Sequence, residues 1–374
     1  MAFASAYQNL ADCSPEWSLE DMAEWAKREN GKGAIDRAGQ LLMEWWTSKE
    51  DWPLEKWSPS LRIVQNWRVC HGLPLNVIQA GLRWRIRRVE QNAIVAQRLK
   101  RFSSIMNKLA REPDMKLSQM QDLGGCRAIL SSVQAVAALY RMYEQPEPHL
   151  HEEGSLKCYD YITNPKEDGY RGIHVVARYH PRLAERASWN GQRIEIQLRT
   201  RLQHAFATAV ETVTTFTREP LKFGAGPMEW RRFFSLMGSA LAIREQTPLV
   251  GNTPNDEAEL IAELRGVAQV LRVTQRLRGW TNALRTLPRK HIKNFKWLLL
   301  ALDTTKNTIA VTGYPNREQA SQAVSEIEES KRADLDAVLV WVKSVKELRA
   351  AYPNYYADTK EFINALDAAL AGKQ

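Results

Sequence analysis

Cysteine is scarce in this sequence, and what there is lies in the first half. Four cysteines (Cys13, Cys70, Cys126 and Cys158) occur in 374 residues, no two in a CxxC pair and none after Cys158. That count argues against a disulfide framework and a cysteine-based zinc site. Apolar runs reach only about six residues, as at Trp297–Leu302, against the ~20 that cross a bilayer. The first residues lack a basic flank followed by an apolar run, so no signal peptide is read, no membrane partner is expected and the expected location is cytoplasmic. Acids are missing from two stretches. Between Leu61 and Arg111 there are eleven Lys/Arg and one acid, Glu90; between Arg265 and Lys296 there are nine Lys/Arg and none. Each stretch reads either as a solvated helix face or as part of a nucleic-acid footprint.

Against these absences stand an ordinary globular balance, 44% hydrophobic and 25% charged, and a net charge of +9. The length suits two or three domains, and the basic balance favours a polyanionic partner such as RNA. Residues 1–90 read as helical, with Pro53, Pro59 and Pro74 as punctuation, and a long helical pattern follows from Asn76 to Leu109. Strands are expected at Cys126–Ser131, Leu156–Ile162, Gly172–Tyr179 and Gln192–Thr200, then a helix over Arg201–Thr217. A basic helix is expected over about 257–287. From about residue 290 a small separate α+β domain is read: strands at Trp297–Leu302, Thr308–Thr312 and Ala337–Val342, a helix over Arg317–Arg332, and closing helices. The fold class is α+β.

The chemistry concentrates between Arg98 and Glu211. In Arg193-Ile-Glu195-Ile-Gln197-Leu-Arg199 polar and apolar residues alternate strictly, so a strand puts Glu195, Gln197 and Arg199 on one face. Asp122 precedes Gly124 and Gly125, which let backbone approach a ligand. Two carboxylates, Asp122 and Glu195, suit magnesium, which takes one or two carboxylates plus substrate phosphates. An ion pair of Glu195 with Arg199 or Arg127 is the plain alternative. Lys100, Ser104 and Lys108, four apart on the helical stretch that also holds Arg98, read as a phosphate clamp or as a solvated basic face. In NPKEDGYRGIH, Pro165, Asp168 and Gly169 make a turn, and Tyr170 is either a stacking platform for a base or a ring folded onto the sheet.

In this order the blocks resemble the synthetase domain of the RelA/SpoT family, which moves the β,γ-pyrophosphate of ATP onto a 3′-hydroxyl. The resemblance covers about residues 90–215 and implies a mixed β-sheet, nucleotidyltransferase-like core with surrounding helices. It implies that Asp122 and Glu195 are catalytic and hold Mg2+, with Glu195 helping to deprotonate the attacking hydroxyl. Arg98 and Arg127 would sandwich the ATP adenine, and Lys100, Ser104 and Lys108 would hold its phosphates. Tyr170 would stack on the acceptor base, with Asn164, Lys166, His174, Gln197, Arg199 and His204 around the acceptor. No His-Asp dipeptide occurs, so the family's hydrolase module is absent, and GYRGIH stands where GYRSLH is usual.

The tail VLVWVKSVKELRAAYPNYYADTKEF resembles the antitoxin-like end of CapRel-type fused toxin–antitoxin proteins. In that subfamily the synthetase half pyrophosphorylates the 3′-terminal CCA adenosine of tRNA. The C-terminal half blocks the ATP site until a phage protein, typically a capsid protein, binds it. The resemblance implies regulatory roles for Tyr352, Tyr355 and Asp358, and a metal-free version of a zinc-finger-like fold. The division it implies is 1–89 helical, 90–255 synthetase, 256–289 basic connector and 290–374 regulatory. Arg85, Arg88 and Arg278 are the expected RNA contacts. The alternatives are an alarmone synthetase acting on free guanine or adenine nucleotides, and a non-catalytic RNA-binding protein on a decayed synthetase fold.

Overall fold

The computed structural model describes residues 25–48, 52–100, 102–144, 156–181, 183–217, 221, 226–286, 297–303, 308–316, 335–341 and 355–372, with 319, 322–323 and 326–327. The chain divides into two compact units. The first takes in Met1–Leu130, Gln134–Tyr159 and Ile173–Leu198; the second Ser131–Val133, Asp160–Gly172 and Arg199–Gln374.

In the first unit three helices come first: α1 (Lys32–Thr47), α2 (Leu54–Val69) and α3 (Gly72–Val89). Their apolar faces bury Leu42, Trp45, Trp57, Val64, Ile78 and Leu82, with the Trp45 and Trp57 rings stacked 4.6 Å apart. The helix expected to continue to Leu109 does not. It stops at Val89, and strand β1 (Ile94–Leu99) follows before α4 (Phe102–Arg111). The reason is a partner: Ile94 and Val95 are β-branched, and β1 pairs antiparallel with β2 (Gly124–Leu130) over six residue pairs. With α5 (Val133–Arg141), β3 (Lys157–Asp160), β4 (Ile173–Arg178) and β5 (Arg193–Thr200), the strands form one five-stranded sheet in the order β1-β2-β5-β4-β3. The four expected strands are all present. Along β5 the alternation is realised: Ile194, Ile196 and Leu198 are fully buried, while Glu195 and Gln197 stay partly open.

In the second unit α6 (Arg201–Thr217), α7 (Met228–Glu245), α8 (Glu257–Val270) and α9 (Val273–Thr286) pack with α10 (Tyr355–Leu370) around one apolar core. Phe206, Phe233, Phe234, Leu264, Trp280 and Phe362 lie at its centre, each at most 2% exposed. Asp256 caps α8 by accepting from the Glu259 amide at 2.9 Å. The basic helix expected over 257–287 is two helices, because Arg272 takes a left-handed φ of 50° between them. Strands β6 (Trp297–Asp303), β7 (Thr308–Tyr314) and β8 (Leu335–Trp341) form an antiparallel sheet in the order β7-β6-β8. The tail is therefore not a free-standing domain from residue 290. Phe362, Ile363 and Leu366 of α10 are buried in the same core as α6 to α9. The helix expected over Arg317–Arg332 lies largely outside the described residues. No described helix is long and apolar enough to cross a membrane.

Candidate active site

In the first unit, the polar face of the sheet gathers most of the expected catalytic and ATP-binding residues. Asp122 sits just before β2. Lys100 sits just after β1, its amide donating to the Leu123 carbonyl at 2.7 Å. From there the Lys100 ammonium reaches Asp122 Oδ2 at 2.5 Å, and Lys108, one turn from the end of α4, reaches Oδ1 at 3.1 Å. Lys100, Ser104 and Lys108 thus do not share one helix face; Lys100 leaves a strand and the other two ride α4. Ser104 is exposed.

Glu195 is held by neutral or titratable partners. His174 Nδ1 lies 3.0 Å from Oε1, and the Gln197 amide donates to Oε2 at 2.7 Å. Arg127 Nε in turn donates to Gln197 Oε1 at 3.3 Å. The ion pair expected as the plain alternative for Glu195, with Arg127 or Arg199, is thus replaced by an amide bridge and a histidine. Arg98 and Arg127 fall on one face of the β1–β2 ladder, Arg98 opposite Gly125 and Arg127 opposite Ala96. Such diagonal neighbours stand about 7–8 Å apart. Gly124 has a packing role: a Cβ there would meet Ile194 Cδ1 at 2.6 Å.

The electrostatics keep both acids ionised. Burial alone would push Asp122 upward, but the ammoniums of Lys100 and Lys108 outweigh it and hold the carboxyl at about 2. Burial also pushes Glu195 upward; hydrogen bonds and charge from His174 and the Gln197 amide hold it below the usual range. The charge of Asp122 works against Glu195 in turn, so the two acids feel each other. Lys100, although ion-paired, lies below the ordinary lysine range, because burial exceeds the pull of Asp122 and Lys108 and Arg98 add repulsion. Among the described residues no three or more His, Cys, Asp or Glu gather as a metal cage. Two ionised hard-oxygen donors within electrostatic reach suit a cation that draws its remaining ligands from phosphates and water.

In the second unit the loop 160–172 carries Tyr170. Arg199 donates to the Tyr170 hydroxyl at 2.5 Å with its guanidinium carbon 5.0 Å from the ring centre. Tyr161 meets Tyr170 edge to face at 5.9 Å, and the Lys166 ammonium lies 4.5 Å from the Tyr161 ring and 5.4 Å from that of Tyr170. The loop closes tightly, Gly169 N to Lys166 O at 2.9 Å and Tyr161 N to Gly172 O at 3.0 Å. Gly169 (φ 84°) and Gly172 (φ 142°) take backbone angles that side chains disfavour. That gives glycine a conformational reason at the position where GYRSLH would have serine. Asn164 is exposed on the same loop.

Other expected site residues are placed differently. His204 is 3% exposed, packed on the inner side of α6, so it cannot present its ring to an acceptor. Arg85, also 3% exposed, donates to the Gly81 carbonyl and lies over the Tyr143 ring at 4.5 Å. A buried guanidinium cannot reach an RNA phosphate. Arg88 is exposed, stacked on Trp84 at 3.3 Å. Arg278 pairs with Asp367 at 2.7 Å. Tyr352 lies outside the described residues, and the side chains of Tyr355 and Asp358 do too, although both positions begin α10. Arg171 and Glu245 were given no role by the sequence, yet the buried Arg171 and the partly buried Glu245 are polar anchors of this unit.

Residues 97–218 match the family model described as the region found in RelA/SpoT proteins. GTP pyrophosphokinase YwaC of Bacillus subtilis (strain 168) is 33% identical over 109 residues, 28% of this chain and 49% of that protein. The chain thus spans about half the length of the curated relative it matches. Among solved structures, small alarmone synthetase 1 from Bacillus subtilis bound to its product pppGpp is 20% identical, with 49% of this chain and 92% of that one covered and a TM-score of 0.40. A GTP pyrophosphokinase family protein from Streptococcus pneumoniae is also 20% identical, with 54% and 93% covered and a TM-score of 0.38. Asp122, Glu195 and their partners all fall inside the matched segment, residues 97–218.

Proposed function

We propose that the chain is a pyrophosphotransferase that moves the β,γ-diphosphate of ATP onto a ribose 3′-hydroxyl. The observation that carries this is the Asp122–Glu195 pair, two ionised acids coupled across a RelA/SpoT region and flanked by Lys100 and Lys108. The transfer breaks the bond between the α-phosphate and the β-phosphate, forms a bond from the acceptor oxygen to Pβ, and releases AMP and the hydroxyl proton. Phosphoryl chemistry of this kind is mostly positioning and charge stabilisation. Lys100 and Lys108 offset the charge on the transferred group. Arg98 and Arg127 receive the adenine ring between them.

Asp122 and Glu195 would hold Mg2+, which supplies Lewis-acid stabilisation of the phosphates. Glu195, held below the usual carboxylate range, is a weak base. Its fitting role is to orient the hydroxyl together with His174, more than to abstract its proton early. The Tyr170 ring is the stacking surface for the acceptor base, worth about 1–3 kcal/mol per base.

The acceptor we favour is the 3′-terminal adenosine of tRNA, with the C-terminal segment acting as inhibitor and as sensor of a phage capsid-like protein. What supports tRNA is the exposed stripe on α3, where Arg83, Arg87 and Arg88 surround Trp84, itself 52% exposed. The second reading, an alarmone synthetase for free nucleotides, uses the same catalytic residues. Competition between tRNA and GTP for label from γ-labelled ATP, with and without a capsid-type protein, separates them. Label at the tRNA 3′ end, lost in Arg88→Ala, supports the first; label in GTP alone, unaffected by Arg88→Ala, selects the second.

A further inference from the structure

Helix α7 lies wholly beyond residue 218, outside the RelA/SpoT region. Yet it is the surface on which the Tyr170 loop rests. The Ser235 hydroxyl donates to the Glu167 carbonyl. The Gly238 carbonyl accepts from Arg171 Nε at 3.3 Å. The two backbones touch at a pair of glycines: a Cβ on Gly238 would lie 2.6 Å from Gly169 Cα and 2.8 Å from its oxygen. On the other side, a Cβ on Gly169 would lie 2.9 Å from Phe206 Cζ. No side chain fits at either position without moving the loop.

Arg171, 2% exposed, completes the seat. Its guanidinium donates to the Ile162 carbonyl at 3.3 Å and to the Pro248 carbonyl, just past α7, at 2.6 Å. The C-terminal end of α7 grips a second element. Glu245 accepts from the Thr200 hydroxyl at 2.5 Å and from the Gln203 amide at 2.8 Å. Thr200 directly follows Arg199, the residue that holds the Tyr170 hydroxyl. One helix thus references both members of the Tyr170–Arg199 contact, the loop through Gly238 and the end of β5 through Glu245.

We propose that Gly238 and Glu245 are positioning residues that set the Tyr170–Arg199 platform and so tune acceptor affinity from outside the family region. This rests on Tyr170 being the acceptor platform, as in the function proposed above.

The test uses full-length Gly238→Ala and Glu245→Gln proteins, with Gly266→Ala as control because a Cβ there meets nothing within 4 Å. Two readouts are taken: hydrogen exchange of the 160–172 segment, and KM for GTP and for tRNA alongside KM for ATP. Gly238→Ala is expected to speed exchange of the segment and raise the acceptor KM about tenfold, with the ATP KM held within about twofold. Glu245→Gln should shift the acceptor KM about threefold in the same direction, because it keeps shape but loses one acceptor. The control should match wild type in both. Exchange unchanged in Gly238→Ala overturns the seat. Faster exchange with an unchanged acceptor KM overturns the link to acceptor affinity. If wild type transfers label to no acceptor, with a capsid-type protein present as well as without it, the proposed reaction fails, and the exchange result alone decides the seat.

Discussion

Asp122 and Tyr170 are held in place by opposite means. Asp122 is fixed by charge: two ammoniums within 3.1 Å, which outweigh the upward push of burial and hold its carboxyl at about 2. Tyr170 is fixed by backbone: a loop seated glycine against glycine on α7, with a buried guanidinium tied to three carbonyls. The first arrangement tolerates small changes in volume and fails when a charge is removed. The second fails when a single methyl is added. In the function proposed above, charge would give the first region something to exchange with an incoming cation and its phosphates, and close packing would give the second a rigid surface for a flat ring.

The contrast breaks most sharply at the acids. Glu195→Gln keeps the shape and the Gln197 contact but removes the charge, and should lower transfer about 10²–10³-fold with folding intact, read by activity beside thermal melting. The core that supports the second region gives the next effect. Phe362→Ala should cost about 3–5 kcal/mol of stability in denaturant melts, since Phe362 is 1% exposed and its ring lies 6.3–6.4 Å from those of Phe206, Phe233 and Phe234. For the same reason, truncation at residue 270 removes α9 and α10 from that core and should yield an aggregating protein. A soluble, well-folded 1–270 fragment would contradict the shared core.

The charge-fixed region should also report pH. The Asp122 carboxyl is lowered from 3.8 to about 2. Its stabilisation is therefore complete above about pH 4 and lost as pH falls toward 2, on the order of 2 kcal/mol. Denaturant melts at pH 7 and pH 3 should show about half of this loss, roughly 1 kcal/mol, in wild type beyond any in Asp122→Asn. The smallest effect belongs to Arg278→Ala. The Arg278–Asp367 pair is half exposed, at 52% and 42%, so its loss should change stability by less than about 1 kcal/mol.

How much was legible follows the same division. Strict alternation along Arg193–Arg199 announced both the strand and its polar face, because a period of two has one structural meaning. Asp122 beside Gly124 marked the strand entry. The helix drawn through Arg98 and Lys100 went astray because β1 is made by its partner: six residues with no apolar alternation become a strand only when β2 lies alongside. The seat for Tyr170 left no trace in local pattern. Gly238 sits inside a helix where a glycine costs stability, and its reason is Gly169, sixty-nine residues earlier. The separateness of the tail was misjudged in the same way, since the spacing of Phe362, Ile363 and Leu366 says that α10 buries a face but not against which core.

The most direct test follows the label and the leaving group together. Full-length protein, magnesium, γ-labelled ATP, tRNA and GTP are incubated with and without a capsid-type protein and the products separated, beside Asp122→Asn and Glu195→Gln proteins. One AMP for each labelled acceptor, in wild type only, is the result expected of an acid pair that presents the diphosphate of ATP to a ribose hydroxyl. Release of ADP with transfer of a single phosphate, or equal transfer by the Glu195→Gln protein, would contradict it.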